Sequence, residues 1–393
     1  MKKIIGIVSE YNPFHAGHAY HIKSSRQALG AEEDSVVICV MSGDFVQRGE
    51  WAIQPKTMRA ESAVRSGADI VFEIPLPWCL SSAGIYASAG VEMLLALGMT
   101  HLSFGSESGD LEALRKAAQM MEASDFDESV AEAVREDPRL TYPAAMSRMI
   151  GSDVLSTPND LLGVAYLREL YKVERESGRH TEAICIQRQG SRHDAAECVL
   201  TGENEFPSAS QIRSAVYTGR TEMPHPDRQL LSVAALSRLR MYPKEYFSTL
   251  PGCANGLGNR IYDAVRESAT IEEIFDKAKT RAYTHSRVRR SVMCAVLGVR
   301  EGDNKGLPPY ARILAMNHRG MAYLASEKEN HTIKILNRPK DVSFTDEHAQ
   351  HVFEVGSSAH DFYMLGFQAE NKNLCGEDYR TVPVIVQDAQ NAL

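Results

Sequence analysis

His15 and His18 stand one helical turn apart, with Gly17 between them, in the stretch Ser9-Glu10-Tyr11-Asn12-Pro13-Phe14-His15-Ala16-Gly17-His18. At a helix entrance both rings can face one anion, and the glycine clears a side chain where the backbone must approach it. The chemistry such a pair performs is donation to phosphoryl oxygens as charge builds on a departing pyrophosphate. His21 extends the row. No cysteine or carboxylate stands nearby at zinc-ligand spacing, so no metal ligand is assigned.

The elements around the histidines must hold them in that pose. The apolar run Ile4-Ile5-Gly6-Ile7-Val8 reads as a buried strand, and His18 to Leu29 carries a helix-compatible pattern. A strand, tight turn and helix in that order make a phosphate site in which backbone N–H groups join the imidazoles. The alternation continues. Ser35 to Met41 is a second strand ending in Ser42-Gly43-Asp44, Lys56 to Ser66 a helix capped by Gly67, Ala68 to Pro75 a strand stopped by proline, Gly84 to Leu97 a helix, and Thr100 to Gly105 the fourth strand. Strands alternating with helices and lacking hairpin turns predict an α/β fold with a doubly wound parallel sheet.

Ligands of such sheets lie beyond the carboxyl ends of the strands. Gly105 there is either a plain turn glycine or bare backbone for a base or ribose. Asp44, Gln47, Arg48, Lys56 and Arg59 form a polar cluster that a solvated loop and a surface pair at i, i+3 would equally explain. Residues 110 to 150 read as a helical, partly acidic insertion or lid. Asn159 reads as a helix cap that Asp160 could share. Ala183 to Ile186 is a fifth strand delivering Arg188, whose planar fork suits a phosphate or carboxylate. Ser208, Ser210 and Arg213 open another helix, where they read as caps or as contacts to a triphosphate tail.

The alternation stops near residues 218–226, which divides the chain into 1–220 and a mainly helical 221–393. Leu230 to Arg240 and Asn259 to Glu267 are clear helices, and Thr270 caps another. The chain has 393 residues, and 51 acidic against 43 basic residues give a net charge of -8, so a nucleic acid would need a local patch. One exists: Lys277 to Arg300 holds seven basic residues and no acidic one, with Tyr283 and His285 as rings that can stack on splayed bases. Lys279, Arg281, Arg287, Arg289 and Arg290 are its candidate RNA contacts. Seven scattered cysteines without a C-x-x-C pair read as reduced thiols, and no stretch reads as a signal peptide or membrane span, so a cytoplasmic protein is expected.

A strand followed by N-P-F-H-x-G-H, with a later S-x-S-x-I-R at a helix start, resembles the Rossmann-like nucleotidyl-transferring superfamily that includes class I aminoacyl-tRNA synthetases. Ser42 to Gly49, Lys56, Arg59-Ala60, Gly67-Ala68-Asp69, Phe104 to Glu107, Pro158 to Asp160 and Tyr283 to Arg290 together resemble, more narrowly, the bacterial tRNA(Met) cytidine acetate ligase family. The likeness covers almost the whole chain. It departs at Gln189-Gly190-Ser191-Arg192, where the family has a glycine-rich turn before a His-Asp pair.

The resemblance implies that residues 1–220 form an ATP-binding, adenylate-forming domain and that 221–393 bind tRNA. It implies that ATP, with Mg2+ held mainly by the phosphates, activates acetate to acetyl-adenylate, and that acetyl then passes to N4 of the wobble cytidine of elongator tRNA(Met). His15 and His18 would be catalytic. The ATP site would comprise Ile7, Val8, Ser9, Glu10, Tyr11, Asn12, Pro13, Phe14, His15, Ala16, Gly17, His18, Ala19 and Tyr20, with Gly105, Asn159 and Arg188. Two rivals stand beside it. A nucleotidyltransferase for a phosphorylated metabolite would use the histidines but not the basic patch. A non-catalytic RNA-binding protein on the same scaffold would use the patch but not the histidines. The oligomeric state is left open.

Overall fold

The structure is a computed structural model that describes residues 3–30, 34–123, 125–137, 140, 142–151, 153–189, 207–341, 344, 346–367 and 375–387. The departure from Gly190 onward, with His193 and Asp194, lies outside the described residues.

Ten strands are described: β1 (Lys3–Ser9), β2 (Ser35–Ser42), β3 (Phe45–Val46), β4 (Glu50–Trp51), β5 (Ile70–Ile74), β6 (His101–Ser106), β7 (Glu182–Gln187), β8 (Tyr310–Met316), β9 (Lys334–Leu336) and β10 (Val384–Ile385). Five run parallel in the order β7-β6-β1-β2-β5, with β1 central. The pairing Lys3↔Ser35 through Ser9↔Met41 puts β1 and β2 in register along their whole length. β-Branched and apolar residues fill both faces. Ile4, Val36, Ile38 and Val40 belong to one core, and Ile5, Ile7, Val37, Cys39 and Met41 to the other, as period-two alternation between two helical layers requires. The doubly wound α/β architecture is therefore the one the alternation predicts.

The sheet crosses the division expected at residue 220. β8 lies antiparallel beside β5, and β9 and β10 pair with β8, so residues beyond 310 complete the sheet of the first half. The preceding Pro308-Pro309 and the charged Arg312 disguise this strand in the sequence. Arg312 is buried and paired with Asp378 at 2.8 Å and Glu73 at 3.5 Å. The remainder of the second half is mainly helical, packed around its own core from Leu231 to Val299, to which Phe45 and Trp51 of the small β3-β4 hairpin contribute. Residues 110–150 form the helices Leu111–Met120, Phe126–Glu136 and Tyr142–Ile150, whose Leu114, Ala118, Val130 and Ile150 join the core under the helix Pro158–Ser177.

Of the polar cluster after β2, Arg48 is exposed and Gln47 half-buried, but Asp44, Lys56 and Arg59 are buried and form no solvated surface. Lys56 and Arg59 are 1% and 0% exposed. Lys56 Nζ donates to Asp378 at 2.6 Å and Glu73 at 2.9 Å, Asp44 accepts from the Lys56 backbone N–H at 2.9 Å, and His360 Nδ1 meets Asp44 at 2.7 Å. Partners more than three hundred residues away in sequence turn an apparent surface pair into a buried network.

Candidate functional site

The turn after β1 is built by residues reaching in from other elements. Tyr11 takes a left-handed φ of 48°, and its buried ring packs edge-on against Phe14 at 5.0 Å and His18 at 4.9 Å. Asn12 Oδ1 accepts the Ile53 N–H at 2.8 Å, and Arg213 donates to the Asn12 carbonyl at 2.6 Å. Arg59 donates to the carbonyls of Glu10 at 2.5 Å and Ser42 at 3.2 Å, and to that of Gly43. One buried guanidinium thus ties the ends of β1 and β2 together.

The helix Ala16–Ala28 is capped by the histidines themselves. His15 is the N-cap, its Nδ1 accepting the Gly17 N–H at 3.1 Å, while His18 Nδ1 accepts the His15 N–H at 3.2 Å, a reciprocal capping box. The rings stack with centroids 3.8 Å apart. Because each Nδ1 is an acceptor, the neutral rings carry their protons on Nε2, and both become Nε2–H donors. Burial, then the Arg188 and Arg213 guanidinium groups, push the His15 pKa down to about 4. Burial followed by His15, His21 and Arg188 lowers that of His18. At neutral pH the pair is uncharged and donating. A Cβ on Gly17 would stand 2.9 Å from His15 Cε1, so this glycine makes room for the capping imidazole itself. His21 bonds Ser103 Oγ through Nε2 at 2.9 Å, which engages it in the fold.

The cap opens into a cleft of about 270 Å³ beyond the carboxyl ends of β1, β6 and β7. The residues from Ile7 to Asn12, with His15, Gly17, His18, Tyr20, Gly105, Asn159, Arg188, Ser208 and Arg213, all line it. Pro13, Phe14, Ala16, Ala19 and Ser210 do not; Phe14 supports Tyr11, and Ser210 bonds Ser208 Oγ at 3.0 Å. None of the described residues between 110 and 150 lines the cleft.

Asn159 is not a cap. The helix Pro158–Ser177 starts after Thr157, and Asn159 Nδ2 donates to Glu107 Oε1 at 2.5 Å, with Arg188 Nη1 3.7 Å from the same oxygen. Buried Asp160 instead accepts the N–H groups of Glu107 and Ser108, each at 3.1 Å, and fixes the turn after β6. A Cβ on Gly105 would meet Arg188 Cγ at an ordinary 3.5 Å, so packing alone does not require this glycine. Ser208 caps the helix Ala209–Tyr217 in a second capping box, with Gln211.

Sequence reasoning missed the cleft walls formed by Tyr86, Phe104, Leu162 and Tyr166. Apolar and aromatic residues on helices and strand ends carry no signal that separates a cleft wall from core. Gln47, Arg48 and Glu50, on the β3-β4 hairpin, also line it; Gln47 and Arg48 belong to the polar cluster read from the sequence, whereas Glu50 carried no signal.

The basic segment lies against the back of that hairpin. The hairpin tip at Gly49, with φ of 73°, fits so close to the helix His285–Leu297 that a Cβ would stand 2.6 Å from Arg290 N. Arg289 pairs with Glu50 and lies over the Phe275 ring at 5.5 Å, and His285 Nε2 faces Asp276 at 3.3 Å. The counter-charges missing from the local sequence are thus partly supplied in space. Arg287 bonds the Gly252 carbonyl at 2.9 and 3.0 Å and covers Tyr283, Arg290 is partly buried, and Lys279 and Arg281 are exposed.

The family described as HIGH Nucleotidyl Transferase matches residues 1–378. The tRNA(Met) cytidine acetate ligase of Syntrophotalea carbinolica is 35% identical over 367 residues, spanning 85% of this chain and 84% of the relative. That of Thermosipho africanus is 30% identical over 435 residues, spanning 98% and 100%. A crystal structure of Thermotoga maritima TmcAL in an apo form superposes with a TM-score of 0.85 at 25% identity, covering 98% of this chain and all of that one. A second, of the same protein bound with alpha-thio ATP, superposes with a TM-score of 0.83.

Proposed function

Because the chain belongs to the HIGH nucleotidyl transferase family and, within it, to the tRNA(Met) cytidine acetate ligases, we propose that its cleft activates acetate with ATP and passes the acetyl group to N4 of the wobble cytidine of elongator tRNA(Met). The carrying observation is the histidine capping box, which sets two neutral imidazoles in the wall of a cleft shared with Arg188 and Arg213. Acetate attacks the α-phosphorus in line, and the work of the site is positioning and charge stabilisation. His15 and His18 donate to phosphoryl oxygens, Arg188 and Arg213 neutralise the tail, and Gly105 and Asn159 take the nucleoside. Imidazole N–H, guanidinium and hydroxyl groups suit phosphate oxygens. Mg2+ would enter on those oxygens and supply charge neutralisation. No helix among the described residues is long and apolar enough to cross a membrane, and we place the enzyme with its tRNA in the cytoplasm.

Mass analysis of elongator tRNA(Met) after incubation with ATP and acetate is expected to find one added acetyl group. Acetate-dependent exchange of pyrophosphate into ATP accompanies it. Exchange driven instead by a phosphorylated metabolite overturns the proposal in favour of a metabolite nucleotidyltransferase.

For the tRNA surface, Lys279 and Arg281 are the residues to reverse, since Arg289 is engaged with Glu50. Lys279→Glu with Arg281→Glu is expected to weaken tRNA binding and to lower the slope of log affinity against log salt by about 0.7–0.9 for each RNA phosphate these side chains neutralise, with ATP binding unchanged. Unaltered affinity and slope remove these residues from the interface.

A further inference from the structure

Glu10 is a half-buried carboxylate to which the activation step proposed above gives no role. Its Oε1 accepts the backbone N–H of Gln47 at 2.8 Å, and Oε2 has no hydrogen-bond partner among the described residues, while the side chain lines the cleft. Its place in the cleft is informative. Gly105, Asn159 and Arg188 belong to the β6-β7 half, and the two histidines sit at the helix entrance after β1. Glu10, Tyr86 and the hairpin residues Gln47 and Arg48 belong to the β1-β2 half, backed by the helix that carries the basic segment. With the nucleotide held on the first half, the second is left for the acyl acceptor.

We propose that Glu10 is the general base of the second step, taking the proton from the cytidine N4 amine as that amine attacks the acetyl carbonyl. This assignment rests on the acetate ligase reading above. The N4 lone pair forms the new C–N bond, and the bond between the carbonyl carbon and the phosphoryl oxygen breaks. AMP leaves with that electron pair, and the N4 proton passes to Glu10 and then to solvent. No redox partner is required. The amine of cytidine is a weak nucleophile whose acidity rises sharply once it has bonded to the carbonyl carbon, so a nearby carboxylate is a sufficient acceptor.

The surroundings suit that task. Burial raises the Glu10 pKa, and the Gln47 N–H, Arg48 and Arg213 oppose the rise without cancelling it. The other charged or titratable groups acting on it are Glu50 on the hairpin, Arg59 on the helix Lys56–Arg65, Cys79 on the helix Leu76–Cys79, Tyr86 on the helix Ala83–Ala96 and Tyr166 on the helix Pro158–Ser177. A base is most effective when its pKa is brought toward the working pH.

The test is single-turnover transfer from synthetic acetyl-adenylate to elongator tRNA(Met), across a pH series, in the intact protein and in Glu10→Gln. Glutamine keeps an oxygen acceptor for the Gln47 N–H and removes only the basicity. Transfer is expected to fall by about 10²-fold or more, and the acid limb of the wild-type pH profile to disappear, while tRNA affinity holds. Acetate-dependent pyrophosphate exchange, run in parallel, reads the first step. Equal losses of exchange and transfer would make Glu10 a positioning residue for the nucleotide and overturn the assignment. So would an unchanged transfer rate, or a pH profile that keeps its acid limb. Failure of the wild-type protein to transfer at all would instead overturn the acetate ligase reading.

Discussion

Replacing His15 with Asn and His18 with Gln is expected to lower acetate-dependent pyrophosphate exchange by at least about 10³-fold while leaving the fold intact. The choice of residues follows from the capping box. Asn is among the best N-cap residues and Gln is the usual reciprocal partner three positions on, so both orphan backbone N–H groups keep their acceptors. What the pair loses is the two Nε2–H donors, and removing one preorganised donor to a developing oxyanion costs roughly 10²–10³ in rate. A double variant with normal thermal unfolding and near-normal exchange would show that the histidines only cap the helix. The same variant has a pH signature. The His15 and His21 pKa values lie near 4 and that of His18 is also lowered, against about 6.5 in an unfolded chain, so the folded protein declines protons that the unfolded chain accepts. Stability from these groups is present above pH 6.5 and is lost as pH falls toward 4. Urea unfolding of the wild type should show that loss, and the double variant a shallower one, because of these three histidines only His21 remains.

The parallel sheet and the nucleotide half of the cleft were legible in the sequence because their signals are local. β1 and β2 declare themselves as β-branched runs, and the strand-end residues Gly105 and Arg188 follow directly from the strands they terminate. Ser208 could be read as a cap because capping is decided within four residues. What stayed hidden depends on interactions between distant segments. The reach of Asp378 and His360 to Lys56 and Asp44 leaves no local trace, and β8 carries Arg312 in mid-strand, where a charge argues against a buried strand until its carboxylates are known. The pairing of Glu50 with Arg289 was invisible for the same reason, which made the basic segment look freer of counter-charge than it is. The capping reading of Asn159 and Asp160 fails because both side chains turn to distant partners: Asp160 takes the backbone N–H groups of the turn after β6, and Asn159 bonds Glu107 and lines the cleft.

Asp378→Ala is expected to destabilise the protein by about 3–5 kcal/mol, the usual cost of removing one partner from a buried ion pair. The buried part of the network holds three cations, Lys56, Arg312 and His360, against three carboxylates, Asp44, Glu73 and Asp378, with the half-exposed Glu377 facing His360 Nε2 at 3.5 Å from the rim. All but Glu73 and Glu377 are almost fully shielded from water. Without Asp378 three cations face two carboxylates, and water cannot make up the difference. Burial opposes ionisation throughout, yet Lys56, Arg312 and His360 outweigh it and hold the Asp378 pKa well below the usual range, while His360 does the same for Asp44. Asp44 in turn outweighs burial at His360 and raises its pKa to about 10. The carboxylate contribution is present above about pH 4, the ordinary aspartate value, and is lost as pH falls through the depressed folded values. The His360 contribution is complete below about pH 6.5 and drains away as pH rises to about 10. Together with the cleft histidines, whose contribution is lost below pH 6.5, this places the maximum of stability close to pH 6.5. Chemical denaturation across pH 4–10 measures both limbs. In Asp378→Ala the alkaline limb should begin from a lower maximum. Adding Lys56→Met to Asp378→Leu, which leaves two cations against two carboxylates, should recover most of the loss. If the double variant is no more stable than Asp378→Ala, charge balance is not what holds β8 and the helix Glu377–Arg380 to the sheet that carries the cleft.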